Sequence, residues 1–172
     1  MTRSLDLTGP QPPPETAALL LHFAAMDDAA KQALRAQIQE MVNRETRAWD
    51  RQDADALVEL FHPDMVWPWP PSARDHDPAT WVFVLGRYDR ARWKRSWQEL
   101  FETHRLVHNR RVTRKIEISG EGDGALAVVD IDTLWRSHAG ADNHWKGRVG
   151  KVYTLMPPGE WKLIMHTGAL EY

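Results

Sequence analysis

The chain has no cysteine among its 172 residues, which excludes disulfides, thiolate nucleophiles and cysteine-ligated metals. Neither charge sign dominates. The formal net charge is −2, so nothing draws the chain generally toward nucleic acid or an anionic membrane. Long apolar runs are missing as well: no window approaches a membrane span, and the first residues hold no apolar leader-like core. No glycine-rich phosphate loop and no nucleophile elbow is found. These absences lead to the expectation of a soluble cytoplasmic protein with no membrane and no nucleic-acid partner.

What the sequence does hold is tryptophan, nine of them. Each indole brings a large apolar area and one N–H that needs an acceptor when buried. An aromatic core and a cavity for a flat, hydrophobic ligand are both consistent with such a supply. The run from Phe61 to Pro71 concentrates the feature, since Trp67 and Trp69 at i and i+2 of a short strand share a face. They read as the wall of a pocket mouth.

Pro10, Pro12, Pro13 and Pro14 mark residues 1–14 as a disordered arm, followed by a single domain over 15–172. A short helix is predicted from Glu15 to Met26. Asp27 or Asp28 then caps a long helix reaching about Arg51, with Leu34, Ile38, Met41, Val42, Glu45 and Trp49 on one stripe. Asp53 caps a short helix from Ala54 to Phe61. A strand is predicted over 81–85, and a third helix runs from about Arg90 to His104 with Trp93 and Trp97 on one side. The rest is strand: 107–119, 125–136, 143–156 and 161–170, joined by turns at Glu121–Gly124, His138–Asp142 and Pro157–Gly159. Helices first and an antiparallel meander last make an α+β domain in two layers.

Three local patterns in this order resemble the nuclear transport factor 2-like superfamily, in its SnoaL-like (polyketide-cyclase-like) branch. The first is the series Asp53, Asp55, Leu57, Val58, Leu60, Phe61, Asp64 and Trp67 after a long helix. Gly86 ahead of the helix with Trp93 and Trp97 is the second, and the hairpin Gly159, Trp161 and His166 the third. The resemblance covers about residues 30–170. It implies a cystatin-like roll, a cone-shaped curved antiparallel sheet wrapped around the long helix, with a cavity between them and a homodimer as the usual assembly. It also exposes departures from ketosteroid isomerase: Trp69 stands at the position of the general base, while Glu45 and Trp97 stand where that enzyme has tyrosines. The isomerase machinery is absent.

Within this frame the candidate residues divide by type. Glu45 interrupts an apolar stripe, so it pairs with a cation, contacts a ligand, titrates high, or turns outward. On 125–136 the odd positions are apolar, whereas Asp130 and Asp132 are even. On the next strand Trp145, Val149, Tyr153 and Leu155 alternate with His144, Lys146 and Arg148. Two arrangements satisfy this alternation. Either the odd face packs on the helices and the polar face meets water, or the polar face lines the cavity and the odd face meets a second subunit. The resemblance implies the second, by the parity of His166, Arg148 and Asp132. The expected catalytic set is then Asp132 and His166 as proton carriers, Arg148 as anion holder, with Asp130, Glu45 and His144 close by. Two carboxylates at i and i+2 should repel, raising one unless Arg148 lies between them. Trp67, Trp69, Trp93, Trp97, Trp49 and Phe61 would enclose a small hydrophobic or aromatic ligand.

An acid–Arg–acid set is also found in the limonene epoxide hydrolase-like branch, but its strand placement differs from the one here. His104 and His108 have metal-ligand spacing, yet a helix end falls between them and no acid clusters with them, so no metal and no cofactor is expected. The basic run Arg110 to Lys115 reads as a solvated strand face. The function expected is cofactor-free acid–base chemistry on a hydrophobic molecule. The alternative is a ligand-binding or dimerisation module without chemistry.

Overall fold

The computed structural model describes residues 26–68 and 88–171, with side chains described as far as 168. The arm over 1–14, the short helix before Met26, Trp69 and the strand over 81–85 lie outside the described residues. Helix α1 spans Asp28–Asp50, with the Asp27 carboxylate accepting from the Ala30 N–H as N-cap. Its buried residues, Ile38, Met41, Val42, Glu45, Ala48 and Trp49, recur at three and four positions, the stripe of an amphipathic helix. Helix α2, Ala54–Glu59, starts on the Asp53 cap. It is shorter than expected, because Phe61 already opens strand β1, Phe61–Val66. Trp67 follows directly after that strand. Helix α3 runs over Arg90–Thr103, capped by Asp89.

Four long strands complete the chain: β2 His104–Ile118, β3 Gly124–Ser137, β4 Asp142–Met156 and β5 Glu160–Glu171. The sheet order is β1-β5-β4-β3-β2. The meander β2 to β5 is antiparallel, as expected, while β1 joins the β5 edge in parallel, so the curved sheet is mixed. Gly122, at φ 76°, supplies the left-handed residue that the β2–β3 turn requires. At Gly168 the reason for glycine is space: a Cβ there would stand 2.4 Å from the Arg148 carbonyl oxygen.

The faces of the sheet are the reverse of the expected assignment. On β3 the odd residues Ala125, Ala127, Val129, Ile131, Thr133 and Trp135 are buried in the one core, together with α1 and α3 residues such as Trp49, Trp93 and Trp97. Asp130 and Asp132 therefore project from the outer face, as do Arg148 of β4, the register partner of Asp130, and His144, which pairs with Leu134. With the apolar face covered inside the chain, it no longer argues for a second subunit. Parity breaks at bulges, two on β2, between Leu106 and His108 and between Thr113 and Lys115, and one where β4 meets β5. The register of β4 on β5 slips between Val152 and Tyr153, pairing Tyr153 with Leu163 but Val152 with Met165. This bulge turns β5 by one residue, so Leu163 and His166 are both buried although their parity differs.

Candidate functional site

Under the sheet, α1 presents Glu45 to two strands. Arg111 Nη1 of β2 donates to Glu45 Oε1 at 3.2 Å. Lys151 Nζ of β4 donates to Oε1 at 2.9 Å and lies 2.7 Å from Oε2. One turn along the helix, Trp49 Nε1–H donates to Oε1 at 3.2 Å. Lys151 reaches on to His166 Nδ1 at 3.1 Å, across the register pair that joins β4 to β5. The four charged or titratable side chains form one buried set; Lys151 has 0% exposure.

Aromatic rings close over the set. The Trp67 ring stacks on His166 at 4.2 Å between centroids and 13° between planes. Trp67 also meets Trp97 and Trp93, at 5.5 and 6.0 Å. Trp49 contacts Trp97 edge-on at 4.9 Å, and Phe61 meets Trp67 and Trp93. Trp49, Trp67, Trp93, Trp97 and Phe61 are thus brought together with Glu45 and His166. Within this region the Trp97 indole N–H and the Tyr153 hydroxyl are buried without a hydrogen-bond partner among the described residues. Each leaves a donor that an acceptor would satisfy.

Burial and charge act in opposite directions on these groups. Burial pushes Glu45 up, but the charges of Lys151 and Arg111 outweigh it and hold the carboxyl well below its ordinary range. Burial lowers Lys151 to about 8, with Glu45 holding it up and Arg111 pushing it further down. Burial, then the Lys151 charge, drives His166 well below 6.5 and keeps it neutral. An ammonium has only donors, so His166 Nδ1 accepts from Lys151 and the proton of the neutral ring sits on Nε2.

The outer face carries the other expected residues as two separate clusters. Asp130 accepts from Arg148 Nε at 2.6 Å and from Arg114 Nε at 2.6 Å. Asp132 Oδ1 lies 2.7 Å from both His108 Nε2 and His144 Nε2. The expected repulsion between the two carboxylates is absent, because each has its own cationic or imidazole partners. Hydrogen bonds from Arg148 and then Arg114 lower Asp130 to about 2, and those from His144 and then His108 lower Asp132 to about 2. Asp130, Asp132, Arg148 and His144 do not share the interior with Glu45 and His166.

Sequence reasoning missed Arg111 and Lys151. Arg111 lies in the basic run expected to face solvent, but its alternation puts it inward between Arg110 and Val112, with 5% of its side chain exposed. Lys151 stands between Val149 and Tyr153 on the apolar parity of β4. That single break in an apolar alternation was the available signal.

A family model of the SnoaL-like domain matches residues 31–164. No curated protein matches the chain in sequence. Among solved structures, a conserved protein from Planctomyces limnophilus superposes with a TM-score of 0.65 at 14% identity, covering 81% of this chain and 98% of its own. A ketosteroid isomerase-like protein from Erwinia carotovora atroseptica gives 0.59 at 13% identity, covering 77% and 92%. An NTF2-like protein of unknown function in nutrient uptake, from Rhodospirillum rubrum, gives 0.57 at 16%, covering 77% and 97%. At such identities the likeness is one of fold.

Proposed function

We propose, from the premise that the chain belongs to the SnoaL-like domain family, that it binds a small hydrophobic or aromatic molecule against Trp67, Trp93 and Trp97 and moves a proton to it through His166. The observation that carries this reading is Lys151, a fully buried ammonium set between the Glu45 carboxylate and the His166 imidazole beneath the Trp67 ring. A charge so deeply desolvated is costly unless it is paired, and perturbed groups of this kind concentrate at functional sites.

The roles follow from donor and acceptor chemistry. His166 Nε2–H meets a carbonyl or hydroxyl oxygen of the ligand. As that proton transfers, Nδ1 takes one from Lys151, leaving a neutral amine; a lysine brought down to about 8 yields its proton near neutral pH. Glu45 stays ionised and holds Lys151 and Arg111 in place, so it is a positioning residue rather than a base. The Trp97 N–H and Tyr153 hydroxyl are further donors for acceptor atoms of the ligand.

The test uses 2-naphthol as probe, followed by tryptophan fluorescence and by the His166 ring resonances. Saturable quenching that also shifts those resonances is expected, with weaker binding in Trp67→Ala. Absence of saturable binding, or His166 signals that do not respond, overturns the reading.

One observation favours a binding module without chemistry: Glu45 accepts from Trp49, Arg111 and Lys151 together, a saturation typical of a structural ion pair. A bicyclic ketone separates the two readings. Proton donation to the ketone oxygen acidifies its α-hydrogens, which solvent base then removes and replaces with deuterium in D2O, and this exchange should fall in His166→Gln. Binding with no exchange above buffer leaves the module.

A further inference from the structure

We propose that His108, Asp132 and His144 form a binding site for a divalent transition-metal ion of the zinc type on the outer face of the sheet. The three side chains come from three adjacent strands, β2, β3 and β4. His108 and His144 are both register partners of Leu134, one on each side, and Asp132 lies two residues back on the same face of β3. The backbone alone therefore aims two imidazoles and a carboxylate at one point. Both histidines present Nε2 to the same oxygen, Asp132 Oδ1, at 2.7 Å, and the three donor atoms lie within 4.8 Å of one another. The imidazole planes stand at 88°, so the rings converge edge to face rather than stack.

The donor set suits the ion. Two neutral imidazoles and one carboxylate are ligands of zinc and its borderline neighbours, and three protein ligands leave a position open for water or a further group. Bonds of about 2.0–2.2 Å place tetrahedral donors roughly 3.3 Å apart. Lengthening the two His–Asp contacts toward that value takes only small side-chain rotations on a fixed sheet. All three side chains are partly open to solvent, with exposures of 27%, 33% and 39%, so an ion can reach them and displaced protons can leave.

The neighbours work against the ion. Arg110 and Lys146 are the register partners of Asp132 on either side, and their positive charges oppose a dication. This yields an independent lever: a neutral residue at position 110 should tighten binding, whereas a ligand deletion weakens it. The inference stands apart from the buried set, which lies on the opposite face of the sheet.

The experiment uses the full chain without an affinity tag, stripped with chelator, and titrated with Zn2+ by calorimetry and with Co2+ by visible absorption. Expected are one ion per chain, the strong visible bands of low-coordinate cobalt, and Zn2+-induced shifts of the His108 and His144 ring signals in the unaltered protein. His108→Ala and His144→Ala should each weaken binding at least about 100-fold, the upper end of what loss of a mere supporting contact costs. Arg110→Gln should tighten it severalfold, and His138→Ala, outside the cluster, should leave it unchanged. Zn2+ that shifts neither histidine, cobalt that keeps the spectrum of its aqua ion, or undiminished affinity in the His108→Ala/His144→Ala double variant would overturn the proposal.

Discussion

The two faces of the sheet each hold carboxylates surrounded by cationic or imidazole groups, yet they behave differently because water reaches only one. Inside, the Glu45 charge is matched by Lys151 and Arg111, and desolvation acts on Lys151 and His166 as well as on the acid. Outside, Asp130 and Asp132 are lowered by their partners while solvent screens the pairs. Similar residue types thus make an energetically demanding cluster on one face and an inexpensive one on the other.

The comparison breaks most sharply at Glu45. Glu45→Gln leaves Lys151 and Arg111 buried without their anion, and the expected loss is about 3–5 kcal/mol of stability, read as a fall in the urea midpoint. If the midpoint hardly moves, the interior is wet and the contrast between the faces fails.

His166 gives the next effect, through pH. Its folded pKa lies well below 6.5, so between the two values the unfolded state binds more protons than the folded one. Stability from this group is present above 6.5 and lost as pH falls below it. From pH 7.5 to 5.5 that loss is about 1.4 kcal/mol, and His166→Gln should abolish it. Lys151, also lowered, has the same sign on the alkaline side: its contribution to stability increases from about pH 8 toward 10.5.

Trp49 and Trp97 sharpen the contrast within the interior. Trp49→Phe takes a donor from Glu45, whereas Trp97→Phe removes an N–H that has no partner among the described residues. Trp49→Phe should cost about 1 kcal/mol more, the net value of one hydrogen bond, as measured by paired urea melts. Smallest of all is Asp130→Asn on the outer face, which should leave the urea midpoint unchanged because its arginine partners are exposed.

Much of the scaffold could be read from single residues. Asp27, Asp53 and Asp89 mark helix starts because a carboxylate satisfies free N–H groups there. The alternation on β3 marks a sheet with one apolar face. Glu45 stood out as a charge in an apolar stripe. Assigning that apolar face to a second subunit failed, because parity was carried from β5 to β4 and β3 as though the register were unbroken. His166 is inside, but the residues level with it are Lys151 and Ala127, not Arg148 and Asp132.

Local physics, acting over a few residues, determined the caps, periodicities, turns and two-layer class, and these are written in the sequence itself. Which side of the sheet meets the helices was decided only when the chain packed. The bulge in β5 and the pairing of Glu45 with a lysine 106 residues away depend on how distant segments meet. Desolvation, which distinguishes Lys151 from the other lysines of the chain, exists only once that packing is complete.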